Sequence, residues 1–512
     1  MPVAQTPVAK PGTPAAGSEI TRVTWLLLAG CVTLFIVLRA RWVGHLLVWD
    51  EAMALCTARS FIVGADDPFA AWFWRHPPLH SVLLLALRPL QAGFAERAES
   101  LSIVIAVINQ LLLFQLNRRA FGTQIGLWSA FIIALLPASV FYDVWIKQDH
   151  PVVTLGLLAL LALQSRRFFL SGLCLGLALL SKATAAFYCL GVFLLWFAGA
   201  GGKRNIKNIA VLIGTSAITC GWWYLIVVPR ARVPGSTDVF KFAASGDALW
   251  QSDWSFYLAR LPIELGWFAL ATAVVGAIFL IRKGMSENAL RLWPLAVLVP
   301  AQLLIAIVPN KVPWIVIALL PAWATLVAIA ADAIIRGLPL ADTSRVRPVL
   351  AALFIVTFAA LTLGTSARDH ESALQRFVET QWRGAANSRD AANAVNAVVA
   401  DGDRMLLTSF HYWKGLPEGL PDPVFTYYLS KKPVFLVRSH KLSLGDLLSE
   451  VRKHRLDWAL LSPEPENSAP IINGLQQRFG LIPAKATTGA LLYRTSVIYQ
   501  SGAQPSVPIR AP

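Results

Sequence analysis

The chain has 512 residues, of which 56% are hydrophobic and only 14% charged, and its formal net charge is +16. A soluble protein of this length carries about a quarter charged residues, so the composition excludes an ordinary soluble enzyme and fits a polytopic membrane protein. The basic residues lie in short clusters between apolar runs, a pattern that argues against nucleic acid as a partner and for anionic membrane lipid.

Residues 1–20 are rich in Pro, Ala and Gly and lack an apolar core, so a disordered cytoplasmic tail is expected over 1–22. The apolar run that follows has no small-residue cleavage site after it and reads as a retained first span rather than a signal peptide. Topology comes from the basic clusters. Arg118-Arg119, Arg166-Arg167, Lys203-Arg204 with Lys207, Arg282-Lys283, and Arg336 with Arg345 and Arg347 each end an apolar run. If all are cytoplasmic, the crossings between them come in pairs. The runs parse as 23–40, 99–117, 123–142, 151–165, 168–181, 183–199, 208–228, 264–281, 292–309, 314–335 and 349–366, about eleven transmembrane helices. The parity holds if Pro78–Phe94, which contains Arg88 and Pro89, lies along the interface; a full crossing is the alternative. The 19 Trp suit interfacial belts, and the five Cys (Cys31, Cys56, Cys174, Cys189, Cys220) imply no disulfide framework.

The expected chain is thus a multi-pass protein of the inner (plasma) membrane with a cytoplasmic N-terminus. A membrane domain spans 23–366, with an outer loop at 41–97, and an extracytoplasmic soluble α/β domain spans 367–512. In that domain strands are expected at 405–409, 433–437, 457–462 and 490–495, and helices at 444–455 and 469–479. No phosphate loop or GxGxxG is present, so the α/β pattern offers no nucleotide site.

On this topology the polar residues of the outer turns converge on one face: Asp50-Glu51 with His76, the FYDVWIKQDHP turn at 141–151, the loop 229–262, and the PNKVP turn at 309–313. Asp50-Glu51 can supply a general base and an orienting carboxylate, or can simply cap the first turn of a helix. Asp149, just before Pro151, either caps a helix or faces Asp50 across a cavity. Lys182, between two long apolar runs, either snorkels to headgroups or neutralises a phosphate. Arg97, Lys311, Arg230, Arg232 and Arg260 are further outer cations able to hold an anionic lipid head or to anchor the interface. His76 and His80 are four apart, but Pro77-Pro78 breaks helical spacing and no third ligand is evident, so no metal site is expected.

WDEA (49–52), HPPL (76–79), Arg97 in ERAES, QDHP (148–151), GLCLGLALLSKA (172–183) and KVPWIVIALLP (311–321) form an ordered set. With them the chain resembles the membrane-integral GT-C glycosyltransferases of the family 39 type, which includes dolichyl-phosphate-mannose–protein mannosyltransferases and the aminoarabinose transferase of lipid A. The resemblance covers about residues 23–335. It implies a polytopic α-helical GT-C protein that inverts the anomeric centre as it moves a sugar from a polyprenyl-phosphate donor to an acceptor on the outer face. It makes Asp50 the base, Glu51 and Asp149 its acidic supports, and Arg97, Lys182 and Lys311 the cradle for the lipid phosphate. His76, a fourth phosphate candidate, stands where the aminoarabinose enzymes have Lys. The chain also has His80-Ser81 where the mannosyltransferases follow this motif with Gly-Lys, and it lacks their folded domain in a later loop. The implied partners are the donor, membrane lipids and an unidentified acceptor; no cofactor or metal is implied. A lipid or solute transporter is the alternative from another class, and a sensor built around the C-terminal domain a third.

Overall fold

The computed structural model describes residues 21–63, 69, 77–87, 93–200, 202, 205–227, 254–284, 289–307, 312–337, 346–368, 373–408, 422–430, 433–438, 443–461, 465–487, 490–496 and 498. Helix α1 (Arg22–Ala40) begins at Thr21, whose hydroxyl accepts from the Thr24 N–H, and leads into a turn at 41–44. Then come α2 (Trp49–Val63), the short α3 (Leu79–Leu85) and the long α4 (Phe94–Phe121). Seven residues cannot cross a membrane, and α3 is all the helix described in the segment expected at the interface.

The single span expected over 123–142 is instead two helices, α5 (Thr123–Leu135) and α6 (Pro137–Tyr142). Leu136 is extended at ψ 129°, because a residue before proline is pushed out of the helical region. Helices α7 (Asp149–Gln164), α8 (Phe168–Leu179), α9 (Ala186–Phe197) and α10 (Ile206–Trp222) follow. The expected 264–281 helix is displaced: α11 (Phe256–Leu265) and α12 (Trp267–Gly284) are bent by 110° about Gly266, whose φ of 83° suits only glycine well. The remaining helices of the bundle are α13 (Trp293–Ile307), α14 (Leu320–Gly337), entered through a 3₁₀ turn at Pro313–Leu319, and α15 (Val346–Arg368).

The protein is multi-pass. Among the described residues five helices qualify as spans by length and apolar composition, or six if the bent pair counts as one. Five other apolar helices among the described residues are 10–17 residues long. One buried apolar cluster runs through the bundle from Leu113 to Phe358. Gly172 and Gly176 set α8 against α10 so closely that a Cβ on either would strike Leu212, Ser216 or Thr219. At one end of this bundle Arg119 donates to Ser165 Oγ at 3.2 Å and Arg291 to the Ala120 carbonyl at 3.0 Å.

At the other end α16 (Ala373–Val398) leads to a five-stranded sheet of order β2-β1-β3-β5-β4. Its elements are β1 (Arg404–Thr408), α17 (Pro423–Tyr428), β2 (Val434–Arg438), α18 (Leu444–His454), β3 (Trp458–Leu461), α19 (Pro465–Phe479), β4 (Lys485–Ala486) and β5 (Leu491–Arg494). β1 pairs in parallel with β2 and β3, and β5 antiparallel with β3 and β4. Alternation along β1 sends Met405 and Leu407 into a core with α16 and Phe425, and Leu406 into a second core with α18 and α19. Helix α17 then packs on α2: Val424 shares a cluster with Leu47, Ala52, Leu55 and Ile146, and the Cys56 thiol donates to the Pro423 carbonyl at 3.5 Å. The helix that carries Asp50 is therefore held between the bundle and the sheet unit.

Candidate active site

Helix α2 opens with two acids, where the helix dipole favours negative charge, yet the two have opposite fates. Glu51 is completely buried. Its carboxylate takes the Val48 N–H at 2.9 Å, the Ile146 N–H at 2.9 Å and His45 Nε2 at 3.0 Å. The other face of the His45 ring lies 3.1 Å from the Trp42 carbonyl and 3.4 Å from Glu99. Glu99 in turn accepts from the Gly44 N–H at 2.5 Å. Burial alone would lower the His45 pKa, but the Glu51 carboxylate, its hydrogen bond and Glu99 prevail and raise it to about 9. For Glu51, burial pushes upward and is outweighed by His45 and the two backbone donors, so its pKa falls below its ordinary value. A charged His45 bridging two carboxylates thus nails the 41–48 turn to α2, to α4 and to the loop before α7.

Asp50 points the other way, with its side chain 31% exposed. Its Oδ2 meets Lys147 Nζ at 2.5 Å, and Lys147 is only 4% exposed. The Lys147 ammonium also lies 3.9 Å from the Trp314 ring centre and 5.2 Å from that of Trp145.

Two residues beyond Lys147, Asp149 begins α7 and is fully buried. It accepts from Lys182 Nζ at 2.6 Å and from the Thr184 hydroxyl at 3.2 Å. Lys182, in the turn after α8, keeps 24% of its side chain exposed. The close α8–α10 contact fixes the position of that turn, and the Leu79 N–H donates to the Leu180 carbonyl at 2.9 Å, joining the residues after Pro77-Pro78 to the Ser181-Lys182 turn. The motifs around 49–52, 79, 148–151 and 181–182 therefore meet at one end of the bundle.

A further ion pair, Arg39–Asp143, supports this end. Arg39, fully buried, donates to Asp143 at 3.0 Å, to Ser139 Oγ at 2.5 Å and to the Phe35 and Ala134 carbonyls. His150 reaches the same turn, with Nε2 3.2 Å from both the Tyr142 and Trp145 carbonyls. Arg97 stands half-buried in the first turns of α4, next to the Ala98 and Glu99 that pack into the site's floor. His76, Lys311, Arg230 and Arg232 lie outside the described residues. Arg260 belongs to a separate small crevice, where it pairs with buried Glu264 at 2.8 Å beside Tyr257, Gln302 and Pro313. Tyr257 both donates to the Val312 carbonyl and accepts the Val312 N–H, which places this crevice next to Trp314.

Sequence reasoning overlooked Lys147, Arg39, Asp143, His45 and Glu99. Lys147 carried a signal, a cation two residues before Asp149 in an otherwise apolar, Trp-containing run. Arg39, two before Arg41 at the end of an apolar run, looks like any interfacial anchor.

Residues 75–224 match the family model described as dolichyl-phosphate-mannose-protein mannosyltransferase. Over its length the structure resembles ArnT from Cupriavidus metallidurans bound to undecaprenyl phosphate, with a TM-score of 0.63, 13% identity, and coverage of 93% of this chain and 98% of that one. The membrane bundle has the GT-C fold. The Archaeoglobus fulgidus oligosaccharyltransferase, another GT-C structure, gives a TM-score of 0.54 at 12% identity, covering 96% of this chain and 75% of that one. The mycobacterial arabinofuranosyltransferase AftD gives 0.55 at 14% identity, covering 93% of this chain and 40% of its own. No curated protein matches the chain by sequence. Within this GT-C bundle, the family-matched segment holds α7, α8 and the turn after α8, and so both members of the Asp149–Lys182 pair.

Proposed function

We propose that the chain is an inverting glycosyltransferase that takes a sugar from a polyprenyl-phosphate donor and passes it to an acceptor outside the cytoplasm. The observation that carries this reading is the pair of acid–lysine contacts Asp50–Lys147 and Asp149–Lys182. Each pair buries one member and leaves the other accessible, and the accessible members are a carboxylate and an ammonium. Those are the two charges the reaction needs. Asp50 accepts the proton of the acceptor hydroxyl or amine as that atom attacks the anomeric carbon. The bond from this carbon to the phosphate oxygen breaks from the opposite side, and the polyprenyl phosphate departs with its electron pair. Lys182 faces the developing negative charge, and Arg97, Lys311 and His76 are the other candidates for the phosphate. Glu51 is a positioning residue, because its carboxylate is filled by protein donors.

The family description over 75–224 and the GT-C fold support glycosyl transfer, and the undecaprenyl phosphate bound by the ArnT relative supports a polyprenyl-phosphate donor. Arg119 and Arg291 at the far end favour a cytoplasmic placement of that end, and on that basis we read the N-terminus as inside and the site and sheet unit as outside. The test is incubation of membranes holding the protein with radiolabelled polyprenyl-phosphate sugars and total envelope acceptors. Loss of donor with a product of inverted anomeric configuration supports the reading. A retained anomer, or no donor consumed with any acceptor fraction, overturns it.

A further inference from the structure

The reaction above leaves the role of Lys147, the partner of Asp50, undefined. It is a cation within contact of the proposed base, so it could be a ligand for the donor phosphate. Its surroundings argue otherwise. Only 4% of the side chain is exposed, against 24% for Lys182. Its ammonium is engaged by Asp50 Oδ2 at 2.5 Å and by the Trp314 ring at 3.9 Å, with Trp145 on a further side at 5.2 Å. The two indoles are themselves in contact, 6.3 Å between ring centres, and both are buried. The residue before Lys147 is fixed as well, since the Ile146 N–H is bound by Glu51, the neighbour of Asp50. The backbone of this loop and the side chain of Lys147 therefore grip two successive residues of α2.

We infer that Lys147 is a positioning residue, which together with Trp314 holds the Asp50 carboxylate toward the acceptor side and ties α2 to the segment that enters α14. This inference rests on the transferase reading. Its physical basis is the geometry of a short charge-assisted contact inside an aromatic slot, where competing water is excluded and the strength of the contact rises. Lysine suits the slot because its unbranched stem fits between the two rings while a single point charge reaches the carboxylate. Trp314 thereby gains a function: though far from Asp50 in the sequence, it lies against the Lys147 ammonium and so fixes the direction from which Lys147 approaches Asp50.

The experiment is steady-state sugar transfer with Lys147→Met, Lys147→Arg, Trp314→Leu and the Asp50→Asn/Lys147→Met double variant. Methionine fills the slot and leaves no unpaired buried charge, since Asp50 retains access to solvent, so the variant is expected to fold. Lys147→Met should lower kcat about 100-fold, the scale of a small misplacement of a reacting group, and leave the donor KM within about twofold. Lys147→Arg should recover most of that loss, and Trp314→Leu should show the same kcat-only effect in smaller measure. The double variant should be no slower than Asp50→Asn alone, because a residue that acts through Asp50 has nothing left to act on. A raised KM at unchanged kcat would make Lys147 a donor ligand and overturn the inference, as would additive losses in the double variant. Wild-type kcat in Lys147→Met, with Asp50 still required, overturns the positioning role alone. A wild type inert toward every donor and acceptor overturns the transferase reading and this inference with it.

Discussion

The Asp50–Lys147 and Asp149–Lys182 pairs are alike in chemistry and opposite in orientation. In the first the lysine is buried and the acid open; in the second the acid is at 0% exposure and the lysine is open. Beside them Arg39–Asp143 is closed on both sides, at 0% and 8%. Taking a charge out of water costs several kcal/mol unless a partner offsets it, so a half-open pair is a way to present one charge to a ligand while its counterion holds it in place. A closed pair presents nothing and serves the fold. Under the proposed reaction the contrast gives Asp50 and Lys182 the substrate side, and Lys147, Asp149, Arg39 and Asp143 the task of holding them there.

The largest effect that would break this contrast is at Asp50. Asp50→Asn keeps the shape and removes the base, and should lower transfer by roughly 10²–10⁴-fold, the range for a lost general base, with an unaltered melting temperature. Transfer within tenfold of wild type would reduce Asp50 to a cap on α2. The closed pair should behave in the reverse sense. Arg39→Met leaves Asp143 buried beside Ser139 and should destabilise the protein by about 3–5 kcal/mol, read as a lowered unfolding midpoint in detergent. An unchanged midpoint would remove its structural role.

Lys182→Met comes next. It deletes the proposed charge-assisted contact to the phosphate, worth about 1.5–3 kcal/mol, so kcat/KM for the donor should fall about 10- to 100-fold, and because it also strips buried Asp149 of its cation the melting temperature should fall with it. The smallest effect concerns His45. Its pKa is raised from 6.5 to about 9, so the stability lent by its proton is complete below about pH 6.5 and is lost as pH climbs through about 9. The melting temperature should therefore drop between pH about 7 and about 10, and His45→Gln should flatten that drop. An equal drop in the variant would locate the alkaline sensitivity elsewhere.

What the sequence made legible was local. The WDEA, QDHP and Ser-Lys motifs stand where helices begin or turn, and their residues do converge. The strand at 404–408 and its partners follow from short apolar runs buried on both faces of the sheet, and the structure places them within a residue or two of the expected bounds. What stayed hidden was pairing across distance. Arg39 and Asp143 are 104 positions apart, and nothing about either residue alone distinguishes a buried partner from an anchor. Glu51 and Asp50 are adjacent and chemically alike, and only the approach of Ile146 and His45 decides which of them is buried. Pro137 announced a break that a count of apolar residues passed over, while the bend at Gly266 depended on how α11 packs beneath the Val312 backbone.

The most direct test is the donor-concentration dependence of sugar release by wild type, Asp50→Asn and Lys182→Met, measured side by side in the same membranes. The account predicts that Asp50→Asn lowers kcat at an unchanged donor KM, whereas Lys182→Met raises KM and lowers kcat together. If Asp50→Asn consumed donor at the wild-type kcat, the open carboxylate would not be the base, and the division between presented and supporting charges would fail.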